Sequence, residues 1–176
     1  MKNLNYLKLC CRVLIAGAFL GVFGEFAHAK DLHGRFGLGY NQQFSNTGLQ
    51  NGVPAISLKY GLTRDLALSL IAGVTTASPI NTALGGKFYK HLFMERNLNF
   101  YYTLGGAMMS GAPAGETDSS LGFEMLAAFG TEFFIPGVES LGWSMEAGAL
   151  LSNASGSFVL QSMGASFIQA GMHFYF

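Results

Sequence analysis

The stretch Ala170-Gly171-Met172-His173-Phe174-Tyr175-Phe176 decides the fold, because its side chains divide between two different faces. Successive side chains of a β-strand point to opposite faces of the sheet. Extended back to Phe167, the segment has one wholly apolar face: Ile168, Ala170, Met172, Phe174 and Phe176. The other face mixes aromatic and polar side chains: Phe167, Gln169, Gly171, His173 and Tyr175. The alternation predicts a β-strand that lies against an apolar environment on one side only.

Seven further segments of this kind precede it, each about ten residues long, which is the length of a strand that crosses a membrane. The eight predicted strands are Leu32–Phe44, Val53–Tyr60, Leu66–Thr76, Thr82–His91, Leu98–Ser110, Ser120–Ile135, Leu141–Ser152 and Met163–Phe176. The connections are rich in Gly, Pro, Asn, Asp and Ser, which supply turn geometry. The longer connections are Ser45–Gly52, Gly111–Ser119 and Asn153–Ser162. Tight turns that alternate with longer loops are typical of membrane barrels.

The polar faces distinguish a membrane barrel from a soluble sandwich or lipocalin-like barrel. A soluble exterior carries many charged side chains, whereas these faces are mostly Gly, Ala, Ser, Thr and Asn. Small residues suit the interior of an eight-stranded barrel, which side chains just fill. The sequence therefore predicts an all-β, eight-stranded antiparallel transmembrane up-and-down β-barrel, with strand 8 paired to strand 1. The predicted lipid-facing residues are Phe36, Leu38, Leu68, Leu70, Phe100, Leu104, Met125, Phe129, Ala147 and Ile168.

The N-terminal residues have the layout of a secretory signal peptide. Its three parts are a basic region with Lys2, Lys8 and Arg12, an apolar run from Val13 to Phe23, and the small-x-small site Ala27-His28-Ala29. The apolar run is too short for a transmembrane helix, which needs about 20 residues. We therefore expect a signal peptide over residues 1–29 and a barrel domain over residues 30–176.

The composition of residues 30–176 excludes several classes of function. They contain no cysteine, seven Lys or Arg and nine Asp or Glu, a net charge of −2 with neutral histidines. The segment can form no disulfide and no thiolate metal site. It also lacks the basic surface that a nucleic-acid partner requires. Three scattered histidines make a poor metal site, and we expect neither a metal nor a cofactor.

Five charged residues share the polar faces near the end with the tight turns: Arg35, Lys59, Lys87, Glu132 and Glu146. Unpaired charges in a narrow interior would be costly, so these groups are expected to pair. Arg35 is the expected hub, because its planar guanidinium can hold two carboxylates. Two interpretations remain open, an ion pathway or proton relay and a fixed salt-bridge plug. The nearly balanced charges and the narrow lumen favour the plug.

The alternating strands, the Ala27-His28-Ala29 site and the His173-Phe174-Tyr175-Phe176 ending resemble the small eight-stranded outer-membrane barrels, such as the OmpA transmembrane domain, OmpX and OmpW. The resemblance implies residence in a Gram-negative cell outer membrane and contact with its lipid and lipopolysaccharide. It also implies folding by the barrel-assembly machinery, for which Phe174 and Phe176 would form the C-terminal assembly signal. It implies no single activity.

Catalysis finds little support in the sequence. Ser152-Asn153-Ala154 resembles part of the His-x-Ser-Asn-Ala segment of outer-membrane lipid A deacylases, but Leu150 stands at the histidine position. A serine without a nearby base is not an activated nucleophile, and no catalytic residue is assigned. Two functions remain. The first is a non-enzymatic barrel with a plugged polar lumen and a structural or surface role. The second, suggested by the likeness to OmpW, is a conduit or binder for a small apolar molecule.

Overall fold

The computed structural model describes residues 30–41, 55–76, 80–112, 118–153, 156–163 and 168–176. The predicted signal peptide, residues 1–29, lies outside the described residues. Within the described ranges, no helix is long and apolar enough to cross a membrane.

In the part of the chain that the structure describes, nine β-segments form one antiparallel sheet that closes on itself. In chain order they are β1 Phe36–Asn41, β2 Ala55–Gly61, β3 Leu66–Thr75, β4 Asn81–Met94, β5 Leu98–Gly111, β6 Ser120–Phe134, β7 Leu141–Ser152, β8 Val159–Ser162 and β9 Gln169–Tyr175. From β1 to β7 each segment pairs with its chain neighbour. β9 pairs with β7 on one side and with β1 on the other. Because β8 and β9 together form the eighth strand, the predicted closed barrel of eight antiparallel strands is confirmed.

The eighth strand is interrupted. β8 pairs with one end of β7, from Ser152 to Ala149, and β9 pairs with the other, from Glu146 to Leu141. The sequence analysis placed Val159–Ser162 in a loop, and this assignment is wrong. The segment covers the edge of β7 beyond β9, where unpaired backbone groups would otherwise be costly.

The first strand begins later than predicted, at Phe36 rather than at Leu32. Gly34 has a φ of 73°, and the Arg35 amide donates to the Leu32 carbonyl at 3.1 Å. Glycine adopts this left-handed backbone conformation at low cost. The resulting turn breaks the alternation before β1, so Arg35 is exposed at the rim and does not enter the lumen.

The outer face of the barrel is apolar. All ten side chains predicted to face lipid lie on this face, from the half-buried Phe100 and Ala147 to Leu70, which is 59% exposed. Along β3, the outward Leu68 and Leu70 alternate with the buried Ser69. This alternation is the reverse of that of a soluble barrel, whose apolar residues point inward.

The interior divides into two layers along the barrel axis. We call the barrel end with the turns 62–65, 95–97 and 135–140 the turn end, and the opposite end the loop end. The polar layer, near the turn end, consists of Lys59, Lys87, Tyr89, Tyr101, Glu132, Glu146 and Tyr175. The apolar layer, nearer the loop end, consists of Ala55, Ile71, Ala83, Ala107, Met109, Leu126, Ala128, Leu150 and Met163. All of these side chains are buried.

Candidate functional site in the barrel interior

Two ion pairs cross the polar layer. Lys59 Nζ donates to Glu132 Oε2 at 2.9 Å, and Lys87 Nζ donates to Glu146 Oε2 at 2.5 Å. None of the four side chains is more than 1% exposed. Two positive and two negative charges therefore balance one another away from solvent.

Three tyrosines complete the surroundings of these charges. The Tyr101 hydroxyl donates to Glu146 Oε1 at 2.8 Å, and the Tyr175 hydroxyl donates to Glu132 Oε1 at 2.6 Å. The centre of the Tyr89 ring lies 4.4 Å from Lys59 Nζ and 5.1 Å from Lys87 Nζ. Each carboxylate thus accepts one hydrogen bond from an ammonium group and one from a phenol. Both lysines also contact the face of the Tyr89 ring, which attracts cations.

Glycines on neighbouring strands make room for these large side chains. A Cβ at Gly130 would lie 2.7 Å from Glu146 Cγ and 2.8 Å from the Tyr101 ring. The same holds on other strands for Gly37 under Tyr175, Gly105 under Lys87 and Gly142 under Glu132. The inner face of the barrel is rich in glycine at this level because the side chains of the polar layer lie directly against its backbone.

The structure brings together four of the five charged residues proposed from the sequence: Lys59, Lys87, Glu132 and Glu146. Arg35, the expected hub, is not among them, because the turn before β1 leaves it at the rim. Each carboxylate has its own lysine instead. Hydroxyl groups of tyrosines supply the second contacts that the guanidinium was expected to provide.

The sequence analysis assigned no role to Tyr89, Tyr101 or Tyr175. Tyr89 follows Lys87 by two residues and so shares its face, and Tyr175 follows His173 in the same way. An aromatic residue on an otherwise small and polar face was the available signal.

The three histidines beyond residue 29 lie toward the turn end. His173 Nε2 is 3.0 Å from Ser57 Oγ, and its Nδ1 is 4.0 Å from Glu132 Oε1. His33 pairs with Gly61 beside the rim. Ser152 lies at the loop end, opposite Glu124 in the sheet register. The serine of the deacylase-like segment is therefore far along the barrel from these imidazoles. Among the described residues, no group of three or more His, Cys, Asp or Glu is placed to hold a metal ion.

Asp65, in the turn between β2 and β3, forms a half-buried ion pair with Lys90 of β4. Asp65 accepts hydrogen bonds from Lys90 Nζ and from Thr63 Oγ1, the latter at 2.8 Å. These bonds, that from Lys90 above all, lower the pKa of Asp65 from 3.8 to about 2. A pair this accessible to solvent contributes little to stability.

Phe174 and Phe176 both face outward and are exposed. The Phe176 amide donates to the Phe36 carbonyl at 2.9 Å, and the Phe36 amide donates to the Phe176 carbonyl at 3.3 Å. These bonds hold the last residue against the first strand. That the two aromatic residues form an assembly signal stays a prediction.

A comparison with solved structures identifies the fold. The chain is similar to the crystal structure of the N-terminal β-barrel domain of OprF from Pseudomonas aeruginosa, with a TM-score of 0.55 and 14% sequence identity. The match covers 81% of this chain and 96% of the OprF domain chain. No protein-family model and no curated protein matches the sequence. The likeness concerns the fold alone, and the predicted resemblance is confirmed at that level: the chain has the fold of a small eight-stranded barrel of the outer-membrane type.

Proposed function

We propose that this protein is a non-enzymatic integral barrel of the Gram-negative outer membrane, with its lumen plugged by the polar layer and with a structural or surface role. The observation that carries the proposal is the pair of buried lysine–glutamate bridges, each completed by a tyrosine hydroxyl. The partners we propose are outer-membrane lipid, lipopolysaccharide and the barrel-assembly machinery. The apolar outer face supports a lipid environment.

The plug explains the polar layer better than an ion pathway does. A conducting path needs sites that bind an ion weakly enough to release it. Here the charged groups already bind one another, since each carboxylate accepts a hydrogen bond from a lysine ammonium and another from a tyrosine hydroxyl. Separating such a pair leaves a buried charge uncompensated, which is strongly unfavourable.

Reconstituted wild-type protein should therefore show no stable single-channel current in a planar bilayer. Replacing all four charged residues of the polar layer by alanine should open the lumen without changing its net charge, and stable currents should appear. The same replacement of the half-buried pair Asp65 and Lys90, outside the lumen, is the matched control and should produce no current. Large, stable currents through the wild type would refute the plug.

The apolar layer supports the second candidate, a conduit or binder for a small apolar molecule. Among the described residues, nine apolar side chains line the interior toward the loop end, and the buried polar residues Glu124, Asn81 and Ser152 lie at the same end. Apolar walls with a few convergent polar groups are typical of small-molecule sites.

If the apolar layer binds small apolar molecules, toluene should raise the free energy of unfolding of the barrel as its concentration increases. At ten times its dissociation constant a ligand adds about 1.4 kcal/mol to the free energy of unfolding. Leu126→Asn should abolish the effect, whereas Leu104→Asn on the outer face should preserve it. Equal stabilisation of both variants would mean that toluene acts through the lipid, and the binder would be excluded.

A further inference from the structure

All seven Lys and Arg residues beyond residue 29 lie in the half of the barrel near the turn end. Lys59 and Lys87 are in the polar layer, and five more are at or near the rim: Lys30, Arg35, Arg64, Lys90 and Arg96. Lys30 pairs with Glu139 and Lys90 with Asp65. Arg35 and Arg64 are both exposed, and neither has an ion-pair partner among the described residues. These two guanidinium groups are the rim cations that need a counter-ion.

Arg35 and Arg64 belong to one stretch of the rim. The Gly61 amide donates to the Arg35 carbonyl at 3.1 Å, and Arg64 follows three residues later in the turn between β2 and β3. Two acidic groups are close in sequence: Asp31, whose Oδ1 accepts the His33 amide at 2.9 Å, and Asp65, which follows Arg64 and is already bound by Lys90 and Thr63. The backbone thus presents two arginines where β1 and β2 meet.

An aromatic cluster lies beside these arginines on the outer face. The Phe36 ring centre is 4.5 Å from that of Tyr60 and 6.5 Å from that of Phe176. Phe36 and Phe176 are exposed, and Tyr60 is half-buried. Aromatic residues of membrane proteins concentrate at the level of the lipid headgroups, and arginine binds phosphate through two parallel hydrogen bonds.

We propose that Arg35 and Arg64 bind the phosphate of an anionic phospholipid, with its acyl chains against Phe36, Tyr60 and Phe176. The inference rests on the proposed membrane-spanning function and adds a lipid site to it. The aromatic cluster favours a lipid over a free phosphate ion. Two exposed arginines alone would bind phosphate weakly, as exposed ion pairs do, whereas acyl chains add apolar contact.

The test uses tryptophan fluorescence and brominated lipids, which quench a tryptophan only at short range. Trp143, the only tryptophan, lies on the outer face of β7 near the turn end and reports on lipid away from the site. The double replacement Tyr60→Trp and Trp143→Phe moves the reporter beside the two arginines. Both proteins are reconstituted in phosphatidylcholine containing either brominated phosphatidylglycerol or brominated phosphatidylcholine.

We expect brominated phosphatidylglycerol to be enriched about thirtyfold over phosphatidylcholine at the Tyr60→Trp reporter, the product of about fivefold for each of two basic side chains at an anionic surface. Trp143 should show no preference. Adding Arg35→Gln and Arg64→Gln to the reporter protein should remove the enrichment. Arg96→Gln, a matched charge change on the turn between β4 and β5, should preserve it.

Three outcomes would overturn the inference. Quenching by both lipids without preference at the Tyr60→Trp reporter would refute the lipid site and leave the membrane-spanning function intact. Enrichment that persists after Arg35→Gln and Arg64→Gln would show that other groups recruit the anionic lipid. No quenching by either lipid at either position would refute the membrane-spanning function, and the lipid site with it.

Discussion

Glu146→Gln is expected to destabilise the folded barrel by about 3–5 kcal/mol, the cost of breaking a buried ion pair by removing one partner. The replacement keeps the shape of the side chain and an oxygen that can accept the hydrogen bond from the Tyr101 hydroxyl. It leaves the Lys87 ammonium, which is buried, without its carboxylate partner 2.5 Å away. Urea titrations of the barrel in phospholipid vesicles would measure the change in the free energy of unfolding.

Two variants show whether the lost charge is responsible. Adding Lys87→Met to Glu146→Gln should recover about 2 kcal/mol or more, because replacing both members of a buried pair is far less harmful than replacing one. Lys90→Met breaks the solvent-accessible pair with Asp65 and should cost less than about 1 kcal/mol. If Glu146→Gln is no more harmful than Lys90→Met, the buried pairs do not hold the polar layer together.

Leu70→Arg should lower the free energy of unfolding by about 2–4 kcal/mol, the cost of an arginine on the lipid face at the bilayer midplane. Leu70 lies in the middle of β3, 59% exposed on the outer face, and pairs with Leu58 and Gly86. The same titrations in vesicles measure the effect. The prediction depends on lipid surrounding the barrel at this level.

Leu62→Arg is the matched control. Leu62 is also exposed but lies in the turn between β2 and β3, where arginine should cost about 0–1 kcal/mol. Cysteines at the same two positions give an independent measurement: in membranes, a water-soluble thiol reagent should modify Leu62→Cys and spare Leu70→Cys. Rapid modification of Leu70→Cys would show that this face meets water.

Most of the architecture could be predicted because it follows from a period of two. In every strand of a barrel one face meets the interior, so parity alone assigns each side chain to a face. The position of each side chain along the barrel axis could be predicted from the number of residues between it and the nearest turn. Together they predicted that Lys59, Lys87, Glu132 and Glu146 would lie at one level inside the barrel, as they do.

The failures mark the places where the chain leaves a regular strand. The alternation of side chains assigns Arg35 to the interior only if Arg35 belongs to the first strand. The turn at Gly34 places Arg35 before that strand, so the assignment fails. Val159–Ser162 forms a strand because the edge of β7 is available to it. That edge belongs to the preceding strand, where Ser152 pairs with Val159. The short apolar run Phe158-Val159-Leu160 shows no alternation of its own that would have predicted the pairing.

The composition of the polar layer has a consequence for the order in which the barrel folds. Its members come from β2, β4, β5, β6, β7 and β9, and the two ion pairs join residues 73 and 59 positions apart. No single hairpin contains both partners of a pair, so early hairpins leave lone charges that find their partners only when distant strands arrive. Contacts of such long range close large loops and form late. Only the complete barrel contains both ion pairs and all three tyrosines, so the contacts of the interior make the last steps of folding cooperative.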